Sequence, residues 1–304
     1  MDRRKFIRNI GVGTTGVLAT NGISAYAADD LVTITILHTN DLHSHIEPFS
    51  GSSPEYNGKG GLARISGMIK HIKSTNQNTL VLDAGDAFQG TPYFNYFGGE
   101  LIYKMMSAVG YEASTIGNHE FDNQLSGLHD ALPFADFPLI NSNYDFSETI
   151  LAGKIPRYKI FKKGGIKIGV YGLGVKLEGL VATTHYGNTI YNDPFSTAKE
   201  MESFLKQDEK CDLVLCLSHL GHNYRDGRIS DYDIAAETSY TDLFMSGHTH
   251  FYIEEPVVVK NKLGKPVTLN IAWWGGLVLG QVDFIMSRNK KNKENILINN
   301  SLAS

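Results

Sequence analysis

In this 304-residue chain, side chains able to bind a metal recur directly after short apolar runs. VLDAGD ends at Asp86, STIGN at Asn118 and LFMSGH at His248, each immediately behind a glycine. ITILHTNDLH delivers Asp41 and His43, and LVLCLSH delivers His219. Imidazole suits borderline transition metals and carboxylate suits harder ions, so a mixed set fits Zn, Mn or Fe. Asp41/His43 and His248/His250 are pairs two residues apart, a spacing that puts both side chains on one face of extended backbone. Eight of the eleven histidines fall in these windows; only His71, His129 and His185 lie elsewhere. The chemistry to expect is a centre of two divalent transition-metal ions.

Such a centre needs elements that bring five segments together. Apolar runs of four to eight residues closed by turn residues predict buried strands near 31–38, 79–84, 112–117, 137–141, 166–174, 212–218 and 242–246. Helical patterns alternate with them near 61–75, 98–109, 122–131 and 195–208, which predicts an α/β layered domain. In open α/β sheets ligands gather at the carboxyl ends of the strands, where all five windows fall. Glycine before the ligand is expected to permit a sharp turn into the site. After residue 250 only short strand patterns remain (FYIEEPVVVK, KPVTLNIAWW and GLVLGQVDFIM), suggesting a second, partly antiparallel sheet that completes the same domain.

Taken in order, HTNDLH, DAGDAFQGTP, GNHEFD, LSHLG and SGHTH resemble the motifs of calcineurin-like metallophosphoesterases of the 5'-nucleotidase branch. The resemblance covers roughly residues 31–286 and implies a four-layer α/β/β/α sandwich of two mixed sheets. It assigns Asp41, His43 and His250 to one metal and Asn118, His219 and His248 to the other, with Asp86 bridging. His119 and Asp122 resemble the family's catalytic dyad. Two cations about 4 Å apart would polarise a phosphoryl group and generate a hydroxide nucleophile. His119 would then stabilise the transition state and protonate the leaving alkoxide, with Asp122 holding its ring and raising its pKa.

Other nearby residues have blander readings. Asp83 is expected to satisfy loop amides, and His38 to be a core or supporting histidine. His45 and His222 fall outside the matched ligand positions. Arg64 either supports the site or makes a surface salt bridge. Gln89 and Gly90 are expected to shape the loop beside Asp86. Trp273-Trp274 reads as core on an alternating strand in preference to a base-stacking platform.

Residues 1–27 resemble a twin-arginine export signal, with Arg3-Arg4, a Gly- and Thr-rich apolar stretch and Ala25-Tyr26-Ala27 before the expected cut. That stretch is too short and too rich in Gly and Thr for a stable membrane span. Removing the leader's four basic and one acidic residues takes the formal charge from −4 to −7, the wrong sign for a nucleic-acid polymer partner. The expected organisation is signal peptide 1–27, catalytic domain 28–286 and polar tail 287–304, in a periplasmic or secreted protein. Cys211 and Cys216 should be buried thiols on opposite faces of one strand, too far apart to pair.

The resemblance implies hydrolysis of nucleotide phosphomonoesters. Alternatives are a 2',3'-cyclic nucleotide phosphodiesterase, a thiosulfohydrolase-like enzyme, or a non-catalytic metal-binding subunit, against which the intact His119/Asp122 pair argues. Two-domain nucleotidases of this type carry a C-terminal nucleoside-gripping domain, and this chain ends where that domain would begin. Either a separate chain supplies it, as a partner beside the phosphoester substrate, or the enzyme acts on phosphoesters with little regard for the base.

Overall fold

The computed structural model describes residues 31–51, 55–287 and the backbone of 293–302. The leader expected at 1–27 lies outside the described residues. The first strands are β1 (Leu31–Thr39), β2 (Thr79–Asp83), β3 (Ala113–Thr115), β4 (Leu139–Ile140) and β5 (Tyr144–Asp145). Then come β6 (Tyr158–Lys163), β7 (Ile166–Gly174), β8 (Ile190–Tyr191), β9 (Leu213–His219) and β10 (Leu243–Ser246). The last are β11 (Val257–Lys260), β12 (Pro266–Ile271), β13 (Val278–Ser287) and β14 (Lys293–Leu302). They form two six-stranded sheets, ordered β14-β13-β1-β2-β3-β4 and β11-β12-β10-β9-β7-β6, and a small β5-β8 ribbon.

Strands β1 to β4 run parallel, as do β7, β9, β10 and β12, while β13, β14, β6 and β11 pair antiparallel at the flanks. Parallel strands covered on both faces read as unbroken apolar runs. That is why TLVLD and LVLCLSH show no alternation and are buried throughout. Outer strand β6 is only partly buried and carries Lys159, Lys162 and Lys163, charges that discourage pairing along its free edge.

Three apolar cores separate four layers. Ile34, Ile36, Leu80 and Leu82 of the first sheet meet Ile168, Val170, Leu215 and Leu217 of the second. The other face of the first sheet, with Leu37 and Val81, packs on Ile65, Ile69, Ile102, Met106 and Leu128 of the helices. Tyr171, Val214 and Phe244 of the second sheet pack on Ala198, Met201, Ile234 and Ala235. The alternation of Ile36 inward and Leu37 outward follows from the period of two along a strand. The architecture is the expected α/β/β/α sandwich.

The helices carry the local signals that start and stop them. Leu62–Thr75 buries Leu62, Ile65 and Ile69, one stripe of a 3.6-residue period. Glu100–Val109 ends at Gly110, whose left-handed φ of 92° closes the helix. Asp231–Glu237 begins with a capping box between Ser230 and Asp233.

Three expectations need correction. The strands after residue 250 do not make a sheet of their own: β11 and β12 extend the second sheet, and β13 lies antiparallel to β1 in the first. Residues 293–302, within the expected polar tail, form β14 along β13. Cys211 and Cys216 are free and buried as expected, but both pack in the same outer core, because Cys211 precedes β9 and escapes its alternation.

Candidate metal centre

Neighbouring β1, β2 and β3 and neighbouring β9 and β10 end at one edge of the sandwich; His219 closes β9 itself, and the loops beyond the strands carry the other expected ligands. Asp41, His43 and His250 form one group and Asp86, His219 and His248 a second, the ligand atoms of each lying within 4.8 Å of one another. In the first, His250 Nε2 is 3.1 Å from Asp41 Oδ1 and 3.0 Å from His43 Nε2. In the second, His219 Nε2 is 2.8 Å from Asp86 Oδ2. Asp41 Oδ1 also lies 3.9 Å from His219 Nε2, so the groups adjoin.

The backbone at these loops is strained. Asp41, His43, Asp86, His248 and His250 all have positive φ, between 48° and 71°. Such conformations persist where the surroundings over-determine them, and they concentrate at functional sites. Only one of the three preceding glycines acts through a positive φ, Gly85 at 89°. The other two are needed for closeness. An added Cβ on Gly117 would sit 2.2 Å from Asp86 Oδ1 and 2.7 Å from His219 Nε2; on Gly247 it would sit 2.7 Å from His219 Nδ1. The turn expected of glycine is largely made by the ligand residues themselves.

Donor orientation fits a metal. His43 Nδ1 lies 3.1 Å from the Phe88 carbonyl and His219 Nδ1 lies 2.7 Å from the Ala84 carbonyl. A ring whose Nδ1–H is engaged by a carbonyl presents Nε2 as a lone pair, the usual arrangement of a metal-bound histidine. His219 Nε2 has no hydrogen bond of good geometry despite its closeness to Asp86, and buried Asn118 Oδ1 has no partner. Buried polar atoms without partners are costly, and ligation of a cation would satisfy each of them.

The electrostatics agree. Burial lowers the His219 pKa, but the charge and contact of Asp86 outweigh it and raise it to about 10. Burial would likewise raise Asp86, yet His219 and His43 hold it well below the usual carboxylate range. The pair thus favours a positive charge beside Asp86, from a ring proton or from a bound cation. Burial lowers His43, and lowers His248 to about 4, keeping both rings neutral for ligation.

His119 and Asp122 stand beside these groups, His119 Nδ1 being 2.8 Å from Asp122 Oδ2. The His119 ring is 5.1 Å from that of His43, and its backbone N–H donates to Asp86 Oδ1 at 2.8 Å. Burial lowers this ring's pKa, but the Asp122 hydrogen bond and the Asp86 charge raise it to about 9.

The neighbours sort themselves by contact. Asp83 accepts from Thr39, Ser114 and the Gly85 N–H, and His38 is fully buried against Asn270. His222 is buried with Nδ1 3.1 Å from Ser246 Oγ. Gln89 and Gly90 have φ of 67° and 100°, and a Cβ on Gly90 would sit 2.7 Å from the His43 carbonyl. Arg64 is exposed near the start of its helix. Trp273 and Trp274 follow β12, belong to none of the three cores and are half-buried, so the core reading fails for them.

Sequence reasoning missed Glu120. This buried carboxylate accepts from the backbone N–H of Asp86, Ala87, Phe88 and Gly117 at 2.6–3.3 Å. It ties the Asp86 loop to the Asn118 loop. The only signal was its place inside GNHEFD. Asn40 was missed as well: it accepts from Ala272 N at 2.7 Å and donates to the Trp273 carbonyl and to Asp41 Oδ2.

Residues 34–252 match the model of the calcineurin-like phosphoesterases. A snake venom 5'-nucleotidase of Gloydius brevicauda is 32% identical over 89% of this chain and 49% of its own length. The solved 5'-nucleotidase precursor of Thermus thermophilus is 30% identical, with a TM-score of 0.79 over 89% of this chain and 54% of the other. The NAD nucleotidase of Haemophilus influenzae is 29% identical, with a TM-score of 0.77 over 88% and 49%. The chain spans about half the length of these relatives. No described helix is long and apolar enough to cross a membrane. On a family match spanning most of its length and the two adjoining ligand groups at one sheet edge, the chain belongs to the calcineurin-like phosphoesterases, metal-dependent hydrolases of phosphoric esters.

Proposed function

We propose that this chain hydrolyses nucleotide phosphomonoesters, in the manner of a 5'-nucleotidase, at a centre of two divalent metals. The carrying observation is the convergence of six ligand-type side chains in two adjoining groups, with the buried, unpartnered Asn118 oxygen next to His119 of the histidine–carboxylate pair. Asp41, His43 and His250 would hold one ion and Asn118, His219 and His248 the other, with Asp86 shared. Such ions polarise a phosphoryl group and activate water. His119, protonated at neutral pH by its setting, donates toward the leaving ester oxygen while Asp122 fixes its ring. Glu120 keeps the Asp86 and Asn118 loops in register.

The Arg3-Arg4 leader supports export as a periplasmic or secreted protein. The greater length of the relatives supports nucleoside contacts from a further domain, on the same or a separate chain, closing over the Asn118–Asp122 and His219–His250 loops. Phosphate release from a panel of nucleoside 5'-monophosphates, 2',3'-cyclic nucleotides and thiosulfonate esters tests the reading. Monophosphates should be the best substrates, and preference for either other class would replace the proposal with that activity.

A further inference from the structure

Both tryptophans of the chain, Trp273 and Trp274, sit at the metal edge, and the packing explains why they are there. Strand β12 runs parallel to β10 with Ile271 opposite Ser246, so the residues after β12 emerge beside those that carry His248 and His250. The Trp273 carbonyl is tied to Asn40, and Gly275 N–H donates to the Asp41 carbonyl at 2.8 Å. Trp273 has a φ of 57°, a left-handed conformation that is unusual for so bulky a residue. The Trp274 ring lies parallel to His250, 5° between planes and 5.6 Å between centroids. Trp273 packs on Tyr252 at 4.9 Å, and Tyr252 is 45% exposed. Tyr56 closes the group at 5.5 Å from Trp273.

Trp273, half-buried on strained backbone, and exposed Tyr252 lie outside every core, next to Trp274, whose ring stacks on His250; rings so placed can receive an aromatic ligand. We propose that Trp273 and Tyr252 form a stacking subsite for the planar base of a nucleotide whose phosphate lies at the metal groups. This rests on the phosphoesterase reading for its orientation, but base–aromatic stacking itself needs no reaction.

With no tryptophan elsewhere, intrinsic fluorescence reports this surface directly. Titrating the metal-loaded protein with adenosine, which has no phosphate to hydrolyse, should quench it saturably; AMP should bind more tightly, and glycerol phosphate should leave emission unchanged. Tyr252→Ala should weaken adenosine binding and raise KM for AMP by about 5- to 100-fold, the range of base–aromatic stacking, with metal content and glycerol phosphate turnover unaltered. Tyr252→Phe should restore both. An arm with phenyl phosphate separates a base-specific surface from one that accepts any aromatic ring. Quenching without turnover would keep the subsite and sink the phosphoesterase reading. No saturable response to adenosine, or an equal response to glycerol phosphate, overturns the subsite.

Discussion

Glu120→Gln changes one oxygen to an amide and leaves shape and volume intact. Two backbone N–H groups point at each carboxylate oxygen, Ala87 and Phe88 at Oε1 and Asp86 and Gly117 at Oε2. Burial and the Asp86 charge push the Glu120 pKa up to about 7, while the backbone donors pull it down, so the four-bond clamp belongs to the carboxylate form and is read at pH 8. Glutamine can accept two of these bonds and must turn its NH2 toward the other two donors. Losing two bonds to a charged acceptor costs about 1.5–3 kcal/mol each, or about 3–6 kcal/mol. That is a large share of the 5–15 kcal/mol typical of a domain, and corresponds to a fall in Tm of roughly 10 °C. Glu200→Gln is the control: its pairing with Arg157 is exposed and worth under about 1 kcal/mol. Thermal unfolding by calorimetry, with and without Mn or Zn, makes the comparison. The Glu120 variant should also lose metal more readily, because the loops it joins carry Asp86 and Asn118. A Tm within a degree or two of wild type, with metal affinity unchanged, refutes the clamp.

His119→Ala should retain the metals and slow turnover by roughly 10²–10⁴ for an alkyl phosphate, with a smaller deficit for an activated aryl phosphate; loss of metal in that variant would contradict the dyad. Asp122→Asn removes the group that raises the His119 pKa to about 9, so the ring should lose its proton, and the enzyme its activity, at lower pH as pH rises. The alkaline limb of the pH–rate profile reads this, and an unmoved limb would oppose it. Replacing Arg3 and Arg4 with Lys should leave precursor in the cytoplasm, as fractionation and immunoblotting would show.

Much of the candidate site could be read from the chain because its ligand-type side chains sit where buried parallel strands end. An apolar run such as VLDAGD carries its own boundary, and Asp41, Asp86 and Asn118 lie just beyond three such strands, which the fold makes neighbours. Periodicity cannot name a strand's neighbour, and therefore β12 and β13 read as one sheet although they enter different ones. It also overextends an element: CDLVLCLSH looks continuous, but Cys211 lies before the strand and turns to the same core as Cys216. Glu120 was hidden because a carboxylate that binds backbone amides leaves no spacing rule. Trp273 was hidden because a bulky residue at positive φ violates the propensity used to read it. Gly117 and Gly247 looked like turn formers, whereas their missing Cβ makes room for Asp86 and His219.

Metal stoichiometry measured together with activity tests the central claim most directly. Protein stripped with chelator and reconstituted with Mn or Zn should bind about two ions per chain, with phosphate release from a nucleoside monophosphate returning as the second ion binds. Full activity with one ion or none, or failure to bind any after reconstitution, would contradict a two-metal centre at Asp41, His43, Asp86, Asn118, His219, His248 and His250.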